Sequence, residues 1–253
     1  SSAAVTKAPL TVEGVTASNK IYNGNTVASA DFSNAALVGV IGDDTVTLVS
    51  SAATANFSSK TVAVGKTVTI AGLTLASSEA ANYTVTQPTT TAAITAKNLT
   101  VNGVTAANKV YDRTLTATLN FANAALVGVE SGDTVTPASS ATTGTFATVG
   151  VATAKTVSVA GLTLSGADAG NYTVTQPTTT ADITAKALTV IGATAATKIY
   201  DQNATATLSF GGAALVGIIS PDDVTLLSGA ATGTFADANA GRNKAVTITG
   251  LSL

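Results

Sequence analysis

The sequence predicts an all-β chain, a tandem array of small two-layered antiparallel β-sandwich repeats of 89 residues. Three observations carry this. The stretch Lys20-Ile21-Tyr22-Asn23 recurs as Lys109-Val110-Tyr111-Asp112 and as Lys198-Ile199-Tyr200-Asp201, with the tyrosines at a constant spacing of 89 residues. An internal period of this length divides a long chain into copies of one smaller structural problem. Thr, Val and Gly are abundant while charged residues make up only 10%, which favours strands joined by short turns. Finally, segments such as Leu99-Thr100-Val101 alternate apolar residues with Thr, the period of a strand with one face buried.

Composition sets the bounds. Apolar residues reach 45% but aromatics only 4%, so the interior is built from small side chains and is thin. That apolar content also excludes a solvated coil. A net charge of −2 gives neither the basic field that nucleic acid requires nor a polybasic membrane patch, so no nucleic acid partner is expected. No membrane span is expected either, because the longest apolar run, Ala35 to Ile41, is far too short. Cys, His, Met and Trp are absent, and the lack of Cys and Met removes the commonest oxidation targets.

In chain order, residues 1–6 match Thr90 to Thr95 and read as the last strand of a preceding repeat. Repeat 1 then spans 7–96, repeat 2 spans 97–185, and repeat 3 spans 186–253, stopping before its final strands. Each opens on the Leu-Thr-Val strand at Leu10, Leu99 or Leu188. A single residue at the repeat boundary leaves no flexible linker, so neighbours are expected to be stiffly coupled. Phe32, Phe121 and Phe210, and later Phe57, Phe146 and Phe235, read as core anchors. Asp44, Asp133 and Asp222 fall in a turn between them. In Val157-Ser158-Val159-Ala160-Gly161-Leu162-Thr163-Leu164 the apolar parity breaks at Gly161, as it does at Gly72 and Gly250. A bulge or tight bend at that glycine restores one inward face. Asn82-Tyr83-Thr84 and its copy at Asn171 close the complete repeats, followed by Pro88 or Pro177 at an edge or bend. Repeat 3 lacks that segment and is expected to expose edge or core surface.

Tyr22, Tyr111 and Tyr200 with their following Asx residue resemble an acid/base pair. Asn23 lacks the charge that Asp112 and Asp201 supply, however, so an Asx-turn beside a Tyr whose hydroxyl bonds to backbone fits all three copies better. Asp43-Asp44 and Asp222-Asp223 have too few carboxylates for calcium and read as loop turns. Lys66, Lys155 and Lys244 share one repeat position, and a crosslink to Asn82 or Asn171 is set below lysine stems lying across a sheet. Asn-x-Ser/Thr triplets at Asn56, Asn82, Asn98, Asn171 and Asn203 are expected by chance in so Thr-rich a chain. With no His to serve as a base and no phosphate loop, an enzyme is not expected. No catalytic, metal or cofactor-binding residue is assigned, no cofactor is expected, and ligand-binding residues are left unassigned.

The Lys-x-Tyr-Asp opening, the Asp-x-Val turn, the Gly-Leu-Thr-Leu segment and the Asn-Tyr-Thr close together resemble the YDG-type repeats of large bacterial haemagglutinin-like surface adhesins. The eponymous glycine departs from this pattern: Tyr22-Asn23-Gly24 keeps it without the Asp, whereas Tyr111-Asp112-Arg113 and Tyr200-Asp201-Gln202 keep the Asp without it. The resemblance implies a secreted protein of the bacterial cell surface, exported by two-partner secretion in a Gram-negative bacterium and tied to attachment or biofilm. The fold expected is immunoglobulin-like. The function expected is a structural stalk that holds a distal binding domain away from the cell. The alternative is a set of repeats that themselves bind a glycan or host-surface protein. The partners expected are the neighbouring repeats of a monomeric chain.

Overall fold

The structure, a computed structural model, describes residues 2–253. Short strands and turns make up almost all of it, with 3-10 turns at Glu79–Asn82 and Ala169–Asn171. The chain gathers into two compact units. One runs up to Ala106 and adds Ala117–Thr145 and Thr156–Thr180; the other holds Ala107–Thr116, Phe146–Lys155 and Ala181–Leu253. The middle repeat therefore contributes to both.

In the first unit, repeat 1 supplies β1 (Ala8–Glu13), β2 (Thr16–Ala17), β3 (Lys20–Ile21), β4 (Ala30–Asp31), β5 (Ala36–Val38), β6 (Thr47–Val49), β7 (Thr54–Phe57), β8 (Ala63–Ala71), β9 (Thr74–Ala76), β10 (Tyr83–Val85) and β11 (Thr89–Thr95). One sheet has the order β10-β1-β5 and another the order β3-β11-β8-β7. Antiparallel pairing predominates, as expected, and two parallel pairs join it: β1 with β10, and β3 with β11. Alternation along each strand turns Leu10 and Val12 of β1, Val68 and Ile70 of β8, and Ala92 and Ile94 of β11 inward, and all six are buried.

The parity break has a geometric cause. β8 pairs with β7 and β11, whereas β9 pairs with β6, so the chain changes sheet at Gly72. Gly72 has φ +82, and a Cβ there would stand 2.6 Å from the Ala52 carbonyl oxygen; Gly161 and Gly250 repeat this with φ +79 and +77. Only glycine fits such a position. The crossing is held by Gln87, whose Oε1 accepts from the Leu73 amide and whose Nε2 donates to the Leu73 carbonyl, both at 2.9 Å. Gln176 does the same for Leu162.

Between β11 and β12 (Lys97–Asn102), where the second repeat begins, only Ala96 intervenes. There is no slack for a separate interior on each side. Val12, Tyr22, Phe57, Val68, Ile70 and Ile94 of repeat 1 form one hydrophobic cluster with Leu99 and Tyr172 of repeat 2. Complete burial of Leu99 stabilises this shared core by about 1.5–3 kcal/mol.

In the second unit Lys109–Val110 pairs in parallel with Ile183–Thr184, as β3 pairs with β11. Repeat 3 contributes an antiparallel sheet of Thr205–Ala206, Thr232–Phe235 and Val246–Thr249. Its interior is open. Phe235, Val246 and Ile248 are half-buried, while Phe57, Val68 and Ile70 of repeat 1 are buried. Residues 2–7 form no strand, and Ser1 lies outside the described residues.

Candidate functional site

The most densely bonded polar site is centred on Asp133. It sits in the turn between Ala125–Val127 and Thr136–Ala138, closed by the Asp133 amide donating to the Glu130 carbonyl at 3.2 Å. Three side chains converge on its carboxylate. Tyr22 and Tyr172 each donate a hydroxyl hydrogen bond to Oδ2 at 2.7 Å, and the Lys60 ammonium stands 2.7 Å from Oδ1. The Asp133 side chain is 1% exposed, that of Lys60 41%.

Each donor is delivered by local structure. Tyr22 follows β3, and its amide donates to the Thr95 carbonyl at 2.8 Å, which ties it to the edge of β11. Tyr172 leaves the 3-10 turn Ala169–Asn171 to pair in parallel with Lys97. The two rings meet edge to face with centroids 5.3 Å apart. The Glu130 amide donates to the Tyr172 hydroxyl at 2.9 Å, and the buried Asn171 side chain accepts from the Val62 amide of repeat 1 at 3.0 Å.

The electrostatics follow from this crowding. Burial works to raise the Asp133 carboxyl, but the hydrogen bonds from Lys60, Tyr172 and Tyr22 together outweigh it and hold it at about 2. Burial, reinforced by the bond to Asp133, pushes Tyr172 up to about 12 and raises Tyr22 as well. At neutral pH none of these protons moves, so the three groups act as fixed donors and acceptor.

The other acidic turns repeat part of the arrangement. In repeat 1, Tyr83 donates to Asp44 at 2.6 Å while the Ile41 amide donates to the Tyr83 hydroxyl at 3.1 Å. In the second unit, Tyr111 donates to Asp222 at 2.8 Å and Arg113 forms an ion pair with the same carboxylate. Asp44 thus receives the tyrosine that closes its own repeat, Asp222 the tyrosine that opens the preceding one, and Asp133 receives both.

The sequence expectation for Tyr22 and Tyr111 is corrected here: their hydroxyls reach a carboxylate of the next repeat, not backbone. A buried carboxylate is the stronger acceptor, and the seamless junction brings it within reach. The Asx-turn itself is present, with Asp112 accepting from the Thr114 amide at 2.9 Å and Asp201 from the Asn203 amide at 3.1 Å. In repeat 1 the turn is shifted to Asn25, which accepts from the Val27 amide. Lys20 and Lys109 fold over this turn, each with its ammonium 5.4 Å from a phenylalanine ring, Phe57 and Phe146 respectively. Lys66 donates to Ser59 and Lys155 to Thr148, while Asn171 accepts from the Val62 amide. Among the described residues no group of three or more His, Cys, Asp or Glu is placed to hold a metal ion, and no helix is long and apolar enough to cross a membrane.

The YDG domain model matches the chain three times, at residues 6–92, 95–181 and 184–253. The chain belongs to the YDG domain family. A comparison with curated proteins gives no match. The Tyr and Asp of the YDG opening serve different ends: Tyr111 leaves its own domain to reach Asp222, while Asp112 stays behind to close the turn with Lys109 at 2.7 Å. The second aspartate, at Asp44, Asp133 and Asp222, is the acceptor that receives a tyrosine from a neighbouring or the same YDG domain.

Proposed function

We propose that this chain is a run of structural stalk repeats from a large secreted bacterial adhesin, and that it projects a distal binding domain from the cell surface for attachment or biofilm formation. Its task is mechanical and non-enzymatic. The observation that carries this reading is the junction at Asp133, where one buried carboxylate joins Tyr22 and Lys60 of one repeat to Tyr172 of the next. A shared apolar core and a single intervening residue, Ala96, add to that coupling. A stack of units coupled in this way gains stability from each interface as well as from each unit.

Export by two-partner secretion and a location on the surface of a Gram-negative cell belong to the same proposal. The absence of Cys and Met from the sequence suits an oxidising exterior. The experiment is a pair of measurements on the intact chain: pulling it in an optical trap, and screening it on glycan and host-matrix arrays. The stalk reading expects cooperative rips under load whose force drops when Asp133 is replaced, together with silence on the arrays. Micromolar binding on an array would transfer the function to the alternative, repeats that recognise a glycan or host protein themselves.

A further inference from the structure

The turn after β3 differs from its two counterparts by one charge. Residue 23 is Asn where the 89-residue register places Asp112 and Asp201. In repeat 2 the Asp112 carboxylate accepts from the Lys109 ammonium at 2.7 Å and from the Thr114 amide at 2.9 Å. In repeat 3 Asp201 does the same, with the Lys198 ammonium at 2.7 Å and the Asn203 amide at 3.1 Å. Repeat 1 otherwise copies repeat 3 closely. Lys20 donates to the Asn25 carbonyl, the Asn25 side chain and the Val27 carbonyl, as Lys198 does to the Asn203 carbonyl, the Asn203 side chain and the Thr205 carbonyl. What Lys20 lacks is a carboxylate: among the described residues Lys109 and Lys198 have an ion-pair partner in this turn and Lys20 has none. Burial also pulls Lys20 below the usual lysine value.

The neighbouring residue, Gly24, can supply the missing charge. The main-chain nitrogen of a residue that follows Asn can attack the Asn Cγ. The new C–N bond closes a five-membered succinimide, and the side-chain nitrogen leaves as ammonia. Water then opens the ring. Cleavage at Cγ restores the ordinary main chain with an aspartate at position 23, and cleavage at the α-carbonyl leaves isoaspartate. Glycine favours the closure because it has no Cβ to crowd the ring. The local structure leaves the reaction open. Asn23 is exposed and lies outside the strands, and among the described residues neither its side chain nor the Gly24 amide makes a hydrogen bond within the protein. Gly24 has φ +77 where Arg113 and Gln202 have +64 and +65, so this turn already has the shape of the two that carry Asp. Glu130, which packs against Gly24, is held by Lys97 at 2.5 Å, which leaves Lys20 to receive a new charge.

We propose that Asn23-Gly24 is a self-modifying site: Asn23 deamidates in the folded chain, and the aspartate that results pairs with Lys20 and accepts from the Asn25 amide. The mature turn is then the one of the three that holds both the Asp and the Gly of the Tyr-Asp-Gly signature, and the chain gains one negative charge beyond its −2. The sequence supplies a control in its other Asn-Gly pair, Asn102-Gly103. Asn102 ends β12 and pairs antiparallel with Ala125, and a Cβ on Gly103 would strike the Asn123 carbonyl oxygen. Ring closure there would have to pull both residues out of the sheet, so the fold protects it.

The test is peptide mapping by mass spectrometry of the 253-residue chain, held folded at about pH 8.5 and about 37 °C, with a urea-unfolded sample beside it. In the folded chain a gain of about 1 Da accumulates at residue 23 and not at residue 102, whereas unfolding lets residue 102 react as well. Electron-transfer fragmentation, which separates aspartate from isoaspartate, finds aspartate in the product. Gly24→Gln, which installs the residue of repeat 3, keeps the turn and loses most of the gain. Pairing is read separately in Asn23→Asp, whose melting temperature rises by about 1–3 °C at pH 7, a rise that disappears when Lys20→Met is added. Equal conversion at residues 23 and 102 in the folded chain, conversion at residue 23 only after unfolding, isoaspartate as the sole product, or an Asn23→Asp variant no more stable than the parent would each overturn the proposal.

Discussion

Replacing Asp133 is the sharpest probe of the junction, because the chain supplies its own control at Asp44. In Asp133→Ala, Tyr22 and Tyr172 lose their common acceptor while their rings stay 1% and 6% exposed. Leaving a buried hydroxyl unpaired costs about 1–3 kcal/mol. Tyr172 still accepts from the Glu130 amide, which softens its share. The expected loss is therefore about 2–4 kcal/mol, while Asp44→Ala, which strands Tyr83 alone, loses about half as much.

The pH dependence has a definite sign. Asp133 is lower in the folded chain, about 2, than its ordinary 3.8, so its contribution is complete above pH 4–5 and is lost as pH falls toward 2. The whole shift corresponds to about 2.4 kcal/mol. Because Lys60 is 41% exposed and screened by solvent, about 1–2 kcal/mol is the better expectation. The assay is native-state hydrogen exchange at Tyr22, Leu99 and Val101, with urea titrations at pH 7 and pH 2.5 beside it. Asp133→Asn should flatten the difference between the two pH values relative to the parent. A parent and an Asp133→Asn variant with the same acid sensitivity, or an Asp133→Ala loss no larger than that of Asp44→Ala, would refute the role assigned to this carboxylate.

Tyr22→Phe should cost about 1–2 kcal/mol in urea unfolding, whereas Tyr200→Phe, whose ring is 58% exposed, should be neutral. Gly161→Ala should lose at least about 2 kcal/mol and more than any glycine change at open Gly150, because φ is +79 and a Cβ would stand 2.7 Å from the Ala141 carbonyl oxygen. Ile94→Ala should cost about 2–5 kcal/mol, since Ile94 is 1% exposed within the shared core, and differential scanning calorimetry would show the drop. Added calcium should leave the melting temperature unchanged, because Asp44 and Asp222 are committed to tyrosine hydroxyls.

Much of the fold could be read from the residues because it is locally encoded. The 89-residue spacing, the alternation in Leu99-Thr100-Val101, and the parity break at Gly161 each lie within a few residues or repeat outright. What escaped was non-local. Tyr22 and Asp133 are 111 residues apart, and no pattern along the chain pairs them. The cation beside the carboxylate obscured it further, since Lys60 supplies it at one junction and Arg113, from a different repeat position, at the next. The parallel pairing of β1 with β10 was hidden for a related reason: alternation fixes which face of a strand is buried but not which neighbour lies beside it. The role of Gln87 is not local either, because its side-chain amide bonds the main chain of Leu73, 14 residues earlier and across a change of sheet.

The way each acidic turn is divided between two owners has an evolutionary corollary. Asp133 takes one tyrosine from its own copy, Tyr172, and one from the copy before, Tyr22, while Asp44 and Asp222 each take one of the two in the same phase. Unequal recombination that adds or removes whole 89-residue steps leaves no partner stranded within the array. A lineage can therefore lengthen or shorten such a protein without redesigning a single contact.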